Sequence, residues 1–162
     1  MRLLIQIIAI AMLTTLAAGT AGSQEANYSR EGADTCLSCH DDEATLALFR
    51  GAHAVPTDPN GPFGHGQLQC EACPGPGGDH AARVRRGRER PSIPVRFGDG
   101  SPTSVDMQNE SCLGCHKADM GFGWHGNDHD MNEIACADCH SSHSASDPVL
   151  ATATQPEVCF DC

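Results

Sequence analysis

The chain has 162 residues, a formal net charge of −11, ten cysteines and nine histidines, but one tryptophan and one tyrosine. An acid excess of this size argues against nucleic acid as a partner, because phosphate backbones are held by positive surfaces. Beyond residue 21 only 19 residues are Leu, Ile, Val or Phe. That is well under the roughly 20% below which highly charged chains stay disordered, so apolar burial alone cannot build the core.

Arg2 precedes an uncharged apolar stretch from Leu3 to Ala18 and the small residues Gly19 to Gly22. This reads as a secretory signal peptide over residues 1–21, and it falls short of the roughly 20 apolar residues of a membrane span. Residues 22–162 then form one exported domain with no further segment able to span a membrane. Asp34 or Thr35 is expected to cap a helix from Cys36 to about Arg50. Gly51 stops it, and the acids Asp41, Asp42 and Glu43 and the base Arg50 suit its dipole. Pro and Gly dominate Val55 to Gly78 and Gly87 to Thr103, which predicts loops. Helical turns are expected around Cys112 to Lys117 and Cys136 to His140, with strands short or absent.

Every cysteine falls in a Cys-x-x-Cys pair: Cys36/Cys39, Cys70/Cys73, Cys112/Cys115, Cys136/Cys139 and Cys159/Cys162. Three pairs are followed at once by His40, His116 and His140. Cys-x-x-Cys-His is the attachment pattern of c-type haem, in which two thiols add across the porphyrin vinyls and the next residue presents an imidazole to the iron. Zinc ribbons also use paired cysteines, but zinc has no need of a histidine in the next position. A thioredoxin-like pair needs a βαβ setting that nothing here suggests. Pro74 follows Cys73 and has no side-chain nitrogen, and the sequence ends at Cys162. Haem c is therefore expected at three sites and at five at most.

Six histidines lie outside the motifs: His53, His65, His80, His125, His129 and His143. Low-spin electron-transfer haems need a second axial ligand, which these histidines, or Met107, Met120 or Met131, could supply. His143 comes three residues after His140 and approaches from the same side, so it is expected to serve a neighbouring haem. From Gly22 to Arg96 there are ten acids and eight bases; from Phe97 onward there are eleven acids against Lys117 alone. Five arginines sit in the run Arg83 to Arg90. The run reads as a solvated loop, or functionally as a partner for haem propionates or an acidic docking protein.

The motifs and their surroundings resemble the DmsE/MtrA-type decahaem c-type cytochromes of Gram-negative bacteria. The matching stretches are Gly32-Ala-Asp-Thr-Cys-Leu-Ser-Cys-His40, Gln69-Cys-Glu-Ala-Cys73 with Gly75-Pro-Gly-Gly78 and His80, and Arg96-Phe-Gly98. Further on come Trp124 with His129, Cys136-Ala-Asp-Cys-His-Ser-Ser-His143, Asp147-Pro-Val-Leu150, and Gln155-Pro-Glu-Val-Cys159 followed by Phe160. The resemblance implies distal iron ligands at His53, His80, His129 and His143, with no such place for His65 or His125. The family has histidine where Pro74 stands, and its chains continue through five more motifs, so this sequence reads as an N-terminal half. The resemblance further implies a periplasmic protein that takes electrons from a quinol-oxidising donor cytochrome and passes them to an outer-membrane porin complex or terminal reductase, in anaerobic respiration or extracellular electron transfer. The fold expected is mostly irregular, with short helices around the motifs, little β structure and a core made of haems. The function expected is electron carriage without substrate chemistry. The alternative is a multihaem reductase with one five-coordinate, substrate-binding haem at the altered Cys70/Cys73 site.

Overall fold

A computed structural model describes residues 26–98, 100–116 and 123–161. The expected signal segment lies outside the described residues, as do Lys117, Met120 and Cys162. Short helices follow one another along the chain: α1 (Ala33–Leu37), α2 (Glu43–Ala47), α3 (Gly78–Ala81), α4 (Val105–His116), α5 (Asp128–Met131), α6 (Cys136–Cys139) and α7 (Gln155–Cys159). Turns of 3₁₀ helix lie at Leu48–Arg50, Ala52–Ala54, Gln69–Ala72 and Pro148–Leu150. No strand occurs among the described residues. This is the irregular, short-helix architecture expected from the sequence.

The single helix expected from Cys36 to Arg50 is corrected to two helices and a 3₁₀ turn. α1 begins at Ala33, ahead of both expected caps, and ends at Leu37. Asp42 then opens α2: its carboxylate accepts the Thr45 N–H at 3.0 Å and the Thr45 hydroxyl at 2.8 Å. Aspartate bonds nearby backbone more readily outside a helix than within one, so it caps and interrupts. Glu43 begins the new helix and pairs with Arg50 at 2.7 Å. The third motif is also more helical than the one turn expected: it is the last turn of α4, a helix of twelve residues. The loop expected from Val55 to Gly78 is interrupted by the turn Gln69–Ala72 and leads straight into α3.

Apolar burial contributes little. The buried apolar residues among those described are Ala33, Ala47, Leu48, Leu113 and Ala135, while Leu150 and Phe160 are 75% and 87% exposed. Burying a leucine yields about 1.5–3 kcal/mol. Two leucines and three alanines cannot offset a backbone ordering cost of about 1 kcal/mol or more per residue. Consecutive motifs are instead latched by buried or half-buried polar side chains. Gln69, just before Cys70, accepts the Ala33 N–H at 2.6 Å. Gly32, at φ 55°, leaves room for that side chain, since a Cβ there would collide with the Gln69 amide. Glu71 is 4% exposed and accepts the N–H groups of Ser29 at 3.0 Å and Gly77 at 2.6 Å, and the Ser29 hydroxyl at 2.6 Å.

Asn109 joins α4 to α6 in the same way. Its amide donates to the Ile134 carbonyl at 3.2 Å and accepts the Cys136 N–H at 2.7 Å, and the residue is 3% exposed. Asn109→Ala strands both backbone groups, at about 1 kcal/mol per bond or somewhat more. We expect the variant to lose about 2 kcal/mol of stability, read from the urea midpoint of the mature protein. Among the described residues no helix is long and apolar enough to cross a membrane.

Candidate haem-binding centres

In the first motif the His40 N–H reaches the Cys36 carbonyl at 3.0 Å, and in the fourth the His140 N–H reaches Cys136 at 2.8 Å. In the third, Cys112 to His116 complete α4. In each case one turn of helix closes between the first cysteine and the histidine. The second pair cannot do this, because Pro74 has no N–H to give to Cys70. Its backbone forms the 3₁₀ turn Gln69–Ala72, and the next N–H available, that of Gly75, bonds Glu71 at 3.2 Å. Cys159 ends α7.

The structure brings two motif histidines against two of the spare ones. The His40 and His80 rings are stacked, with centroids 6.3 Å apart and planes 24° from parallel. The His53 and His116 rings stand edge-on at 6.0 Å. Two imidazoles binding opposite sides of one metal, each about 2 Å from it, place their centroids about 6 Å apart. Both pairs therefore stand at a separation at which the two imidazoles could hold one metal ion between them. Gly51 lets the turn carrying His53 approach the chain beyond the fourth motif: a Cβ on it would come within 2.8 Å of the Ser144 carbonyl.

Ring orientation is fixed from behind. His80 Nδ1 lies 2.8 Å from the Pro91 carbonyl, and His140 Nδ1 lies 2.7 Å from the Asp147 carboxylate. Both partners are acceptors, so Nδ1 carries the proton and Nε2 is left to coordinate, the usual outer-shell arrangement of a metal-binding histidine. Asp147 is itself held by the Ser141 N–H at 3.2 Å. A cavity of 410 Å³ opens beside His140, bordered by Cys139, Pro148, Glu157 and Val158. Burial, then the neighbouring His116, pushes the His53 pKa down against the opposing pull of Asp147. That favours the neutral imidazole, the form that binds metal.

The thiols show how the motifs sit relative to one another. The Cys36 and Cys70 thiols lie close enough to shift each other's titration, and so do those of Cys112 and Cys136. Cys73 lies within electrostatic reach of Cys112 and Cys115. The second pair thus stands between the first and third motifs, and the fourth adjoins the third. Burial and the Cys36 thiol push Cys70 up to about 11. Cys112 is drawn down to about 7 by the hydrogen bond from Cys136, with His140 adding to the effect, while Cys136 is pushed up.

The remaining expected ligands are not brought to a motif histidine. His129 lies against Trp124 at 6.2 Å, and His143 is exposed in the loop after α6. His65 is exposed; His125 faces Glu110 at 3.4 Å and borders a 330 Å³ cavity with Trp124 and Asp130. Sequence reasoning missed Asp147, the Pro91 carbonyl and the latches Gln69, Glu71 and Asn109. Asp147, Gln69 and Glu71 fall in the stretches that carry the resemblance, which assigns them no role.

Residues 67–162 match the family described as cytochrome c-type protein NrfB-like. The chain is also 43% identical over 139 residues to the multiheme cytochrome MtrA of Shewanella baltica (strain OS185), an alignment covering 85% of this chain and 39% of that protein. It is 27% identical over 143 residues to the cytochrome c-type protein NrfB of Escherichia coli O6:H1, covering 85% of this chain and 69% of that one. The chain thus spans about two fifths of the MtrA relative, and the MtrA-type resemblance read from the motifs is borne out. With several haem attachment motifs, paired imidazoles at metal-bridging separation and this similarity, the chain belongs to the NrfB-like family of multihaem c-type cytochromes, whose cofactor is covalently bound haem c.

Proposed function

We propose that the chain is a periplasmic electron relay in an anaerobic respiratory or extracellular electron-transfer pathway, exported by residues 1–21 and exchanging electrons with partner redox proteins. The observation that carries this reading is the pairing of His40 with His80 and of His53 with His116, together with the Gln69 and Asn109 bonds that set the second motif beside the first and the fourth beside the third. Cys36 and Cys39, Cys112 and Cys115, and Cys136 and Cys139 hold the haems in this reading, with His40, His116 and His140 as proximal ligands. His80 and His53 are the distal ligands of the first and third. His129 and His143 are left for the fourth site or a neighbour, Cys70/Cys73 lacks its histidine, and Cys159/Cys162 is a further candidate pair. Haem c supplies a one-electron Fe(III)/Fe(II) couple when bound there. The chain's part is to fill axial positions, fix ring orientation through Pro91 and Asp147, and keep successive sites adjacent.

The test is expression in a periplasm equipped for haem maturation. Intact mass is expected to show a haem for each of the three complete motifs, and the electronic spectrum is expected to be low-spin at the two sites with paired histidines. A colourless product would overturn the proposal. A high-spin site that binds nitrite or cyanide would favour the reductase reading instead.

A further inference from the structure

We infer that the arginine loop, residues 83–90, is the docking surface for a redox protein with an acidic face, and that it brings this partner to the haem site of His40 and His80. The inference rests on the electron-relay reading above and adds the place and the charge of the partner.

The loop is tied at its base to the axial-ligand pair. Its last arginine, Arg90, donates to the carbonyl of His80 and, at 3.2 Å, to that of Ala82. The ring of His80 bonds back to the Pro91 carbonyl at 2.8 Å, just beyond the loop. The segment between these ties turns at Arg85 to Arg88, closed by a 3.0 Å backbone bond, with Gly87 at φ 82° in open space. Arg83, Arg85, Arg86 and Arg88 are all exposed, and none forms an ion pair within the described residues. Five arginines and Glu89 give the loop a net charge of +4.

That charge stands out against a chain whose overall net charge is −11, so that everything outside the loop carries −15. Four guanidinium groups on one turn, with no ion-pair partner among the described residues, repel each other; an acidic surface neutralises them and gains directed attraction at the encounter. Arginine's planar fork also suits carboxylates geometrically. A partner held here lies one tied turn from His80, whose ring stacks on His40.

The test uses the mature, haem-loaded protein in stopped flow, with reduced flavodoxin as a small acidic donor and uncharged photoreduced lumiflavin as the control. The net charge alone predicts repulsion, hence a flavodoxin rate that rises with salt. The loop predicts the reverse, a rate that falls about tenfold as salt shortens the Debye length from about 30 to below 10 Å. Replacing Arg83, Arg85, Arg86 and Arg88 by Gln is expected to lower the low-salt rate about tenfold and abolish the fall. Haem content and the lumiflavin rate are expected to be unchanged. A wild-type rate that rises with salt, or is unmoved by the four substitutions, overturns the inference. So does loss of haem or a shifted absorption spectrum in the variant, which would assign the arginines to the cofactor, or arginine-dependent sedimentation with anionic phosphatidylglycerol vesicles without a kinetic effect. A protein without haem would instead fail the relay reading itself, visibly, before any donor is mixed.

Discussion

Pro74→His is expected to add one haem to the mature protein. Both thiols of the second site are already present, and the backbone fails there for one reason: proline has neither the N–H that closes the turn onto Cys70 nor a ring nitrogen that can bind iron. Histidine supplies both. The remaining supports tolerate the change, since the Pro74 carbonyl accepts the Val95 N–H at 2.9 Å through backbone alone and Gly75 keeps its φ of 83°. Intact mass of the two proteins from the same periplasm is expected to differ by one haem beyond the substitution itself. Pro74→Ala, which restores the N–H without the imidazole, separates the two defects and is expected to add nothing. Equal haem counts in wild type and Pro74→His would show that the site is closed for another reason, or that the thiols suffice without a histidine. Because Gln69, next to Cys70, bonds Ala33 of the first site and Cys73 lies within electrostatic reach of Cys112 and Cys115, the regained site would stand between its neighbours. Electron exchange between the first and third sites is therefore expected to quicken in the same variant.

The chemistry was legible from the sequence because attachment is local. Two thiols and an imidazole within five residues specify a haem site almost independently of what surrounds them, and the short helices at Cys36, Cys112 and Cys136 follow from that. The partnering of His80 with the first site and His53 with the third was not legible. His80 lies 40 residues from His40 and His53 lies 63 from His116, and nothing in the spacing tells which pairs meet. The resemblance implies distal-ligand roles for both, and the fold brings His80 to His40 and His53 to His116. The break between α1 and α2 was missed for a different reason. The Asp41-Asp42-Glu43 run was read as favouring the start of one long helix, whereas Asp42 caps the start of a second. The latches at Gln69, Glu71 and Asn109 leave no signature at all, because a buried polar side chain looks the same in sequence as an exposed one.

His53→Met and His80→Met are each expected to raise the potential of one haem by on the order of 0.1–0.2 V and to move the others far less. Methionine is a weaker donor to Fe(III) than imidazole, so exchanging one ligand stabilises the reduced state. A spectropotentiometric titration reads the shift as one step displaced well beyond any other. Assignment then comes from combining substitutions. If His53 serves the site of His116, the His53→Met step disappears when Cys112 and Cys115 are both replaced by Ala, because the haem it acts on is gone. It survives when Cys36 and Cys39 are replaced instead. His80→Met is expected to behave in the opposite sense. Coupling of this kind is seen only between groups that share a partner, so a His53 effect indifferent to both double replacements would break the pairing. The carboxylate behind His140 adds a check of its own. Asp147 bonds His140, and the turn carrying His53 packs through Gly51 against Ser144, three residues before Asp147, so the third site adjoins the fourth. A ligand exchange at His53 is therefore felt first at the neighbouring His140 site, and any secondary displacement in the titration is expected there rather than at His40.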